Sequence, residues 1–257
     1  MVRSTEEFRF VFKAARRVGT PLVAVRTADP ASAIAQVTAS INAKSEQTPV
    51  LLWDFIGGLQ GRNEAGRSAV AKVLGESSPS LGPGDTLAVA HKIAADAIIF
   101  FLNPQRVWEQ VDVVQGIWNL RDVFKVGGQM LVLVTTPGTV LPVELQNDVI
   151  VIDEPLPSPE DLQTLVTDTF ESAELPPDEA IVNKAVDALV GLAAFPAEQV
   201  LAMSLSKKGL DIERLWERKR QAVEQTLGLS IWRGGETFDD IGGCENIKTI
   251  TANYSCC

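Results

Sequence analysis

The sequence predicts an α/β fold: a five-stranded parallel sheet with flanking helices, joined to a small all-helical lid. Three observations lead there. Five short runs before Pro155 are almost continuously apolar, as strands buried on both faces of a sheet must be. Stretches with helical spacing separate most of these runs, several opening on capping residues. After Pro155 the apolar runs cease and helical patterns follow.

Ser4-Thr5-Glu6-Glu7 has the capping-box pattern, and Phe8, Val11, Phe12 and Ala15 share one helical face until Gly19 supplies a stop. Residues 21–26 read as the first buried strand, and Asp29-Pro30 opens a helix to about Asn42. The second strand spans 48–55, turns at Gly57-Gly58 and leads to a helix from about Glu64 to Leu74. Residues 81–86, with two glycines and a proline, read as a turn. Strands at 96–102, 129–135 and 148–153 complete the sheet, with a helix from about Gln105 to Lys125 before the fourth strand. Three lid helices follow at 158–170, 178–190 and 196–207, each starting on Pro, Asp or Ser, residues suited to a helix N-terminus. A further amphipathic helix runs from Asp211 to about Gly228, and Arg233-Gly234-Gly235 reads as a linker. The expected division is 1–155 for the core, 156–208 for the lid and 209–236 for a connecting helix and linker. Residues 237–257 form a separate stretch, opening on an acidic pair and Ile-Gly-Gly that read like the threshold of a nucleotide pocket.

Hydrophobic residues make up 46% of the chain and charged residues 22%, the balance of an ordinary globular protein. Its 33 acidic against 23 basic residues give a net charge of −10, which repels a phosphate backbone and argues against a nucleic-acid partner. The run Glu217-Arg218-Lys219-Arg220 mixes signs on one helix and reads as a solvated face. No apolar stretch approaches the ~18–20 residues of a membrane span, and the N-terminus has no signal-peptide core. A cytoplasmic location without a membrane partner is expected. Cys244, Cys256 and Cys257 have no framework spacing, so no disulfide stapling is expected.

His91 is the only histidine, which excludes a two-His metal site, and it reads as a lone core or surface histidine. Trp53, Trp108, Trp118, Trp216 and Trp232 are scattered and read as packing or interface residues. No Gly-x-x-x-x-Gly-Lys-Ser/Thr run is present to ring a polyphosphate with backbone N–H groups. Asp54 ends the second strand, and strand carboxyl ends are where ligands of open α/β sheets sit. Asp54, Asn103 and Thr135 are therefore candidate ligand-facing strand ends. The alternatives are a carboxylate capping the Gly57-Gly58 turn and local hydrogen bonding at Thr135 and Thr136.

Four stretches, in this order, resemble the first half of an AAA+ ATPase family encoded in cyanobacteria, other bacteria and some plastid genomes. They are VLLWDFIGGL (50–59), MLVLVTTPGTVLPVELQNDVIVIDEPLPSPEDLQTLV (130–166), LVGLAAFPAEQVLAMSLSKKG (189–209) and TFDDIGG (237–243). The resemblance implies two AAA-type modules in tandem, the first a degenerate P-loop core with a helical lid and the second carrying the working ATP site. It also extends the expected location to the plastid stroma. DDIGG is similar to the segment that leads into an AAA ATPase module, which implies that Asp240, Ile241 and Gly242 are part of a nucleotide pocket. Few residues follow, so 237–257 are expected to be the truncated entrance of that second module, ending before its phosphate loop.

By the same resemblance, the first module's phosphate loop should follow the strand ending at Arg26. Thr27-Ala28-Asp29-Pro30-Ala31-Ser32 stands there instead, and Asp29 at a helix N-terminus satisfies the free N–H groups itself and repels a polyphosphate. A metal-binding acid should close the third strand, where Asn103 is a neutral amide. No catalytic residue, metal site or cofactor is expected in this chain, with ATP and Mg²⁺ belonging to the intact protein. The expected function is a non-catalytic assembly or partner-binding module, with a protein partner or self-association. An alternative is an ATP-driven remodelling ATPase of which this chain is a truncated product. A flavodoxin-like or receiver-like domain fits less well, because of the helical lid and the Ile-Gly-Gly exit.

Overall fold

Both ends of the first helix are specified by adjacent side chains. Ser4 Oγ accepts from the Glu7 N–H at 3.2 Å, and Arg16 and Arg17 lie in the last turn, where a helix dipole favours cations. The computed structural model describes residues 4–41, 47–75, 81–176, 178–206 and 209–225, together with 229, 231 and 243. After α1 (Thr5–Arg17) come β1 (Leu22–Arg26), α2 (Pro30–Ser40), β2 (Val50–Asp54), β3 (Gly58–Gly61), α3 (Glu64–Leu74) and α4 (Pro83–Ala90). The core continues with β4 (Ile98–Leu102), α5 (Val111–Gly127), β5 (Met130–Thr135) and β6 (Ile150–Asp153).

These strands form one sheet in the order β3-β2-β4-β5-β1-β6. The five expected strands are all present and mutually parallel, with registers such as Val23↔Val132, Val23↔Ile150, Leu51↔Ile99 and Ile99↔Leu131. A sixth strand, β3, adds an antiparallel edge to β2, pairing Trp53↔Leu59 and Asp54↔Gly58. The sequence expectation stopped at a turn here. The turn is real and reverses the chain onto β2, because Asp54 Oδ1 accepts from the N–H groups of Ile56 (2.8 Å) and Gly57 (2.7 Å).

A second difference lies at 81–86, expected as a turn. Pro83 is instead the first residue of α4, a position whose N–H has no helical partner, so proline removes nothing there.

Alternation along the buried strands divides the core into two layers. Leu22, Ala24, Leu51, Trp53, Ile99, Phe101, Leu131 and Leu133 pack with Val70, Leu87, Ile117 and Phe124 of α3, α4 and α5. On the other face Val23, Val25, Leu52, Phe100, Val132 and Val134 meet Phe8 and Phe12 of α1 and Ala33 and Val37 of α2.

A third apolar cluster belongs to the lid: α6 (Pro159–Ser172), α7 (Glu179–Leu189), α8 (Ala194–Ser204) and α9 (Ile212–Glu224). Leu162, Val166 and Phe170 of α6 interlock with Val182, Leu189, Leu201 and the fully buried Leu215 of α9. The packed lid thus includes the helix expected as a connector. Two-residue strands β7 (Leu205–Ser206) and β8 (Gly209–Leu210) form a small hairpin between α8 and α9. Among the described residues, no helix is long and apolar enough to cross a membrane.

Candidate functional site

Five parallel strands present their carboxyl ends on one side of the sheet, and at β1 and β6 those ends meet the lid. A cavity of about 510 Å³ opens there. Phe8, Leu156, Leu162 and Leu165 supply apolar wall, and Asp29, Asp153, Glu154, Asp161 and Asp168 line it beside one cation, Arg26. Arg26 and Asp153 form a partly exposed ion pair at 3.6 Å.

The cavity's polar wall is a connected set of hydrogen bonds built on the β1–α2 turn. Asp29 caps α2 by accepting from the Ser32 N–H at 3.1 Å, while its own N–H donates to Thr27 Oγ1 at 2.7 Å. Thr27 Oγ1 in turn donates to Glu154 Oε2, and Ser32 Oγ donates to Glu154 Oε1 at 3.0 Å. Glu154 follows β6 directly, its N–H held by Arg26 O at 2.9 Å, so extending the sheet register delivers its carboxyl to the turn. Burial pushes the Glu154 carboxyl above the ordinary range. Its hydroxyl partners oppose that shift and the nearby Asp29 charge adds to it.

Asp29 has a second role. Its Oδ2 accepts from the Phe195 N–H of α8 at 3.1 Å, 166 residues away. Nearby, Thr5 Oγ1 donates to Asp161 Oδ2 at 2.8 Å. Asp161 also completes a capping box with Ser158 at the start of α6. Burial alone would raise the Asp161 carboxyl, but hydrogen bonds from Thr5 and Ser158 outweigh it and hold the group below its ordinary value.

The other sequence candidates occupy the same side of the sheet without lining this cavity. Asp54 is engaged by the β2–β3 turn. Asn103 has left-handed backbone angles (φ 53°, ψ 42°), and its Oδ1 accepts from Gln105 Nε2 at 3.1 Å. Thr135 is buried, with Oγ1 directed at Val25 O at 3.4 Å, and Thr136 Oγ1 lies 3.0 Å from Thr139 Oγ1. His91 terminates α4 in a shallow groove against α5, away from the strand ends. Asp240, Ile241 and Gly242 lie outside the described residues. Among those described, no group of three His, Cys, Asp or Glu side chains could hold a metal ion.

Sequence reasoning found Asp29 but missed Glu154, Ser32 and Asp161. The signal for Glu154 was available: it follows the last strand, and the strand-end rule applied to Asp54 applies equally there.

The chain matches two consecutive family models: SpoVK-like AAA ATPase, N-terminal domain, over residues 6–154, and SpoVK-like AAA ATPase, second domain, over 160–226. It is 23% identical over 202 residues to the uncharacterized AAA domain-containing protein ycf46 of Trieres chinensis, covering 76% of this chain and 38% of that protein. Among solved structures, a RuvB variant of Thermotoga maritima superimposes with a TM-score of 0.52 at 12% identity, covering 85% of this chain and 67% of the other. PCH-2 of C. elegans does so with a TM-score of 0.51 at 10% identity, covering 86% and 68%. At such identities these two likenesses concern the fold alone. The first family model covers more than half of the sequence, and the chain belongs to the SpoVK-like AAA ATPase family.

Proposed function

We propose that this chain is a non-catalytic AAA-like module that serves assembly or partner recognition within a larger, two-module AAA+ ATPase. The observation that carries this reading is the Asp29 carboxylate on the N-terminus of α2, bonded to the Ser32 N–H. A helix N-terminus that follows the first strand of a sheet is well suited to phosphate, because its free N–H groups and dipole favour an anion. Here the anion is a side chain of the protein. Glu154, Asp153 and Asp161 add further negative charge around the same cavity, opposed by Arg26 alone among the described lining residues. At the end of β4, Asn103 offers an amide already engaged with Gln105, a poor donor set for Mg²⁺, which prefers carboxylate and water oxygens. The residues present therefore do not fit MgATP, and no catalytic step is assigned to them.

Isothermal titration with MgATP tests the reading. Negligible heat up to millimolar nucleotide is the expected result. Micromolar, Mg²⁺-dependent binding that disappears on substituting residues 27–32 would overturn it. Sedimentation velocity across a concentration series tests self-association, and a partner-binding role predicts complex formation with the remainder of the longer protein.

A second reading rests on length. The chain spans 38% of the ycf46 relative, so ATP-driven remodelling by the intact protein is compatible with a non-catalytic first module. On that reading Asp240, Ile241 and Gly242 lead into the working nucleotide site.

A further inference from the structure

Helix α8 begins without a cap of its own. Ala193 occupies the N-cap position and makes no side-chain hydrogen bond, which leaves the first-turn N–H groups without a local acceptor. The acceptor comes from the core: Asp29 Oδ2 takes the Phe195 N–H while Oδ1 takes that of Ser32. One carboxylate thus closes two helix N-termini, α2 on the sheet and α8 in the lid.

We propose that Asp29 is an internal latch that sets the seat of the lid on the sheet without any ligand. Among the described residues, the chain connection Pro155-Leu156-Pro157 and two hydrogen bonds, Thr5–Asp161 and Asp29–Phe195, attach the lid around the cavity. The first two hold the start of α6 and do not reach α8. Asp29 is the attachment that reaches α8. Its aim is fixed by Thr27 Oγ1 behind its own N–H and by Glu154, which accepts from both Thr27 and Ser32. Glu154 also directly precedes the connection to the lid, so the residue that braces Asp29 adjoins the start of the lid.

Asparagine at position 29 offers one acceptor oxygen in place of two, enough for one helix but not both. Hydrogen exchange and a spin-label distance between Lys125→Cys and Glu198→Cys, in the full chain with its three cysteines replaced by serine, read the two consequences. Asp29→Asn is expected to speed exchange in residues 194–197 about 5-fold, the equivalent of losing one N-cap, and to broaden the core–lid distance. Phe195→Pro removes the donor while sparing Asp29, and is expected to broaden the same distance. Adding Ala193→Ser to Asp29→Asn supplies α8 with a local cap; protection of 194–197 should return while the distance stays broad. An unchanged distance in both single variants would overturn the latch. So would recovery of the distance with Ala193→Ser, because Asp29 would then act on α8 alone. None of these readouts involves nucleotide, so the outcome is independent of the reading proposed for the cavity.

Discussion

Thr5 and Asp161 are joined by a 2.8 Å hydrogen bond that ties the first residue of α1 to the first turn of α6, 156 positions along the chain. The same Asp161 oxygen accepts from the Ser158 N–H, so one carboxylate completes the lid's first capping box and holds it to the core. Thr5→Val keeps the shape and removes the donor. A loss of about 0.5–1.5 kcal/mol is expected by urea denaturation. In a double-mutant cycle with Asp161→Ala, a coupling of about 0.5–1 kcal/mol is expected, and zero coupling would contradict the attachment.

Glu154 and Asp161 should respond to acid in opposite senses. Burial raises the Glu154 carboxyl above its ordinary 4.5, so the folded state binds that proton more tightly than the unfolded chain does. Its contribution is complete below 4.5 and is lost as pH rises through the folded value. Wild type should therefore gain stability relative to Glu154→Gln as pH falls from 7 toward 4.5. Asp161 is held below its ordinary 3.8, so its contribution is present above that value and lost as pH falls through the lower folded one. The advantage of wild type over Asp161→Asn should shrink in that acid range. Denaturation curves of the three proteins from pH 7 to 3 check both signs.

Gly66 is a helical glycine for which alanine should be harmful. In an open helix the change gains about 0.5–1 kcal/mol. A Cβ at Gly66, however, would lie 2.2 Å from the backbone oxygen of Val50 and 2.9 Å from Asn63 Oδ1, the atom that caps α3. The carbonyl belongs to β2 and has little room to yield. Gly66→Ala is expected to cost about 1–3 kcal/mol, and a gain in thermal stability would refute this close packing of α3 on the sheet.

Trp53 and Phe101 stack at 4.1 Å between ring centroids and 13° between planes, on adjacent strands β2 and β4. Both are fully buried, and Trp53 Nε1 donates to Leu81 O at 3.0 Å, which ties the entry of α4 to the sheet. Phe101→Ala should cost about 3–5 kcal/mol and weaken the near-ultraviolet circular dichroism of Trp53. A loss under about 1 kcal/mol would mean that the layer repacks freely.

Much of the fold was legible because its signals are local. Strands at 22–26, 98–102 and 130–135 announce themselves by apolar residues on both faces, and Ser4, Asp29 and Ser158 by capping chemistry a few residues ahead of a helix. The edge strand β3 was missed because Gly58-Leu59-Gln60-Gly61 has little β-propensity of its own. It exists through pairing with β2 after the Asp54 turn, and through close packing of Gly61 against the backbone of α3. Helix α4 was missed because Gly82-Pro83-Gly84 has turn composition, and burial of Leu87 and Ala90 against the sheet outweighs that local preference.

The sequence by itself determined the five parallel strands and the helices other than α4, the capping of α2 by Asp29 and the excess of acid over base, all properties of neighbouring residues or of composition. Only the tertiary structure decided that Glu154 meets Thr27 and Ser32, that Asp161 meets Thr5, and that the second oxygen of Asp29 closes α8. Those meetings depend on β6 lying beside β1 and on the lid returning over their ends. The reason is physical: periodicity and capping act within a few residues, whereas contacts across more than a hundred are selected by the packing of the whole sheet and lid.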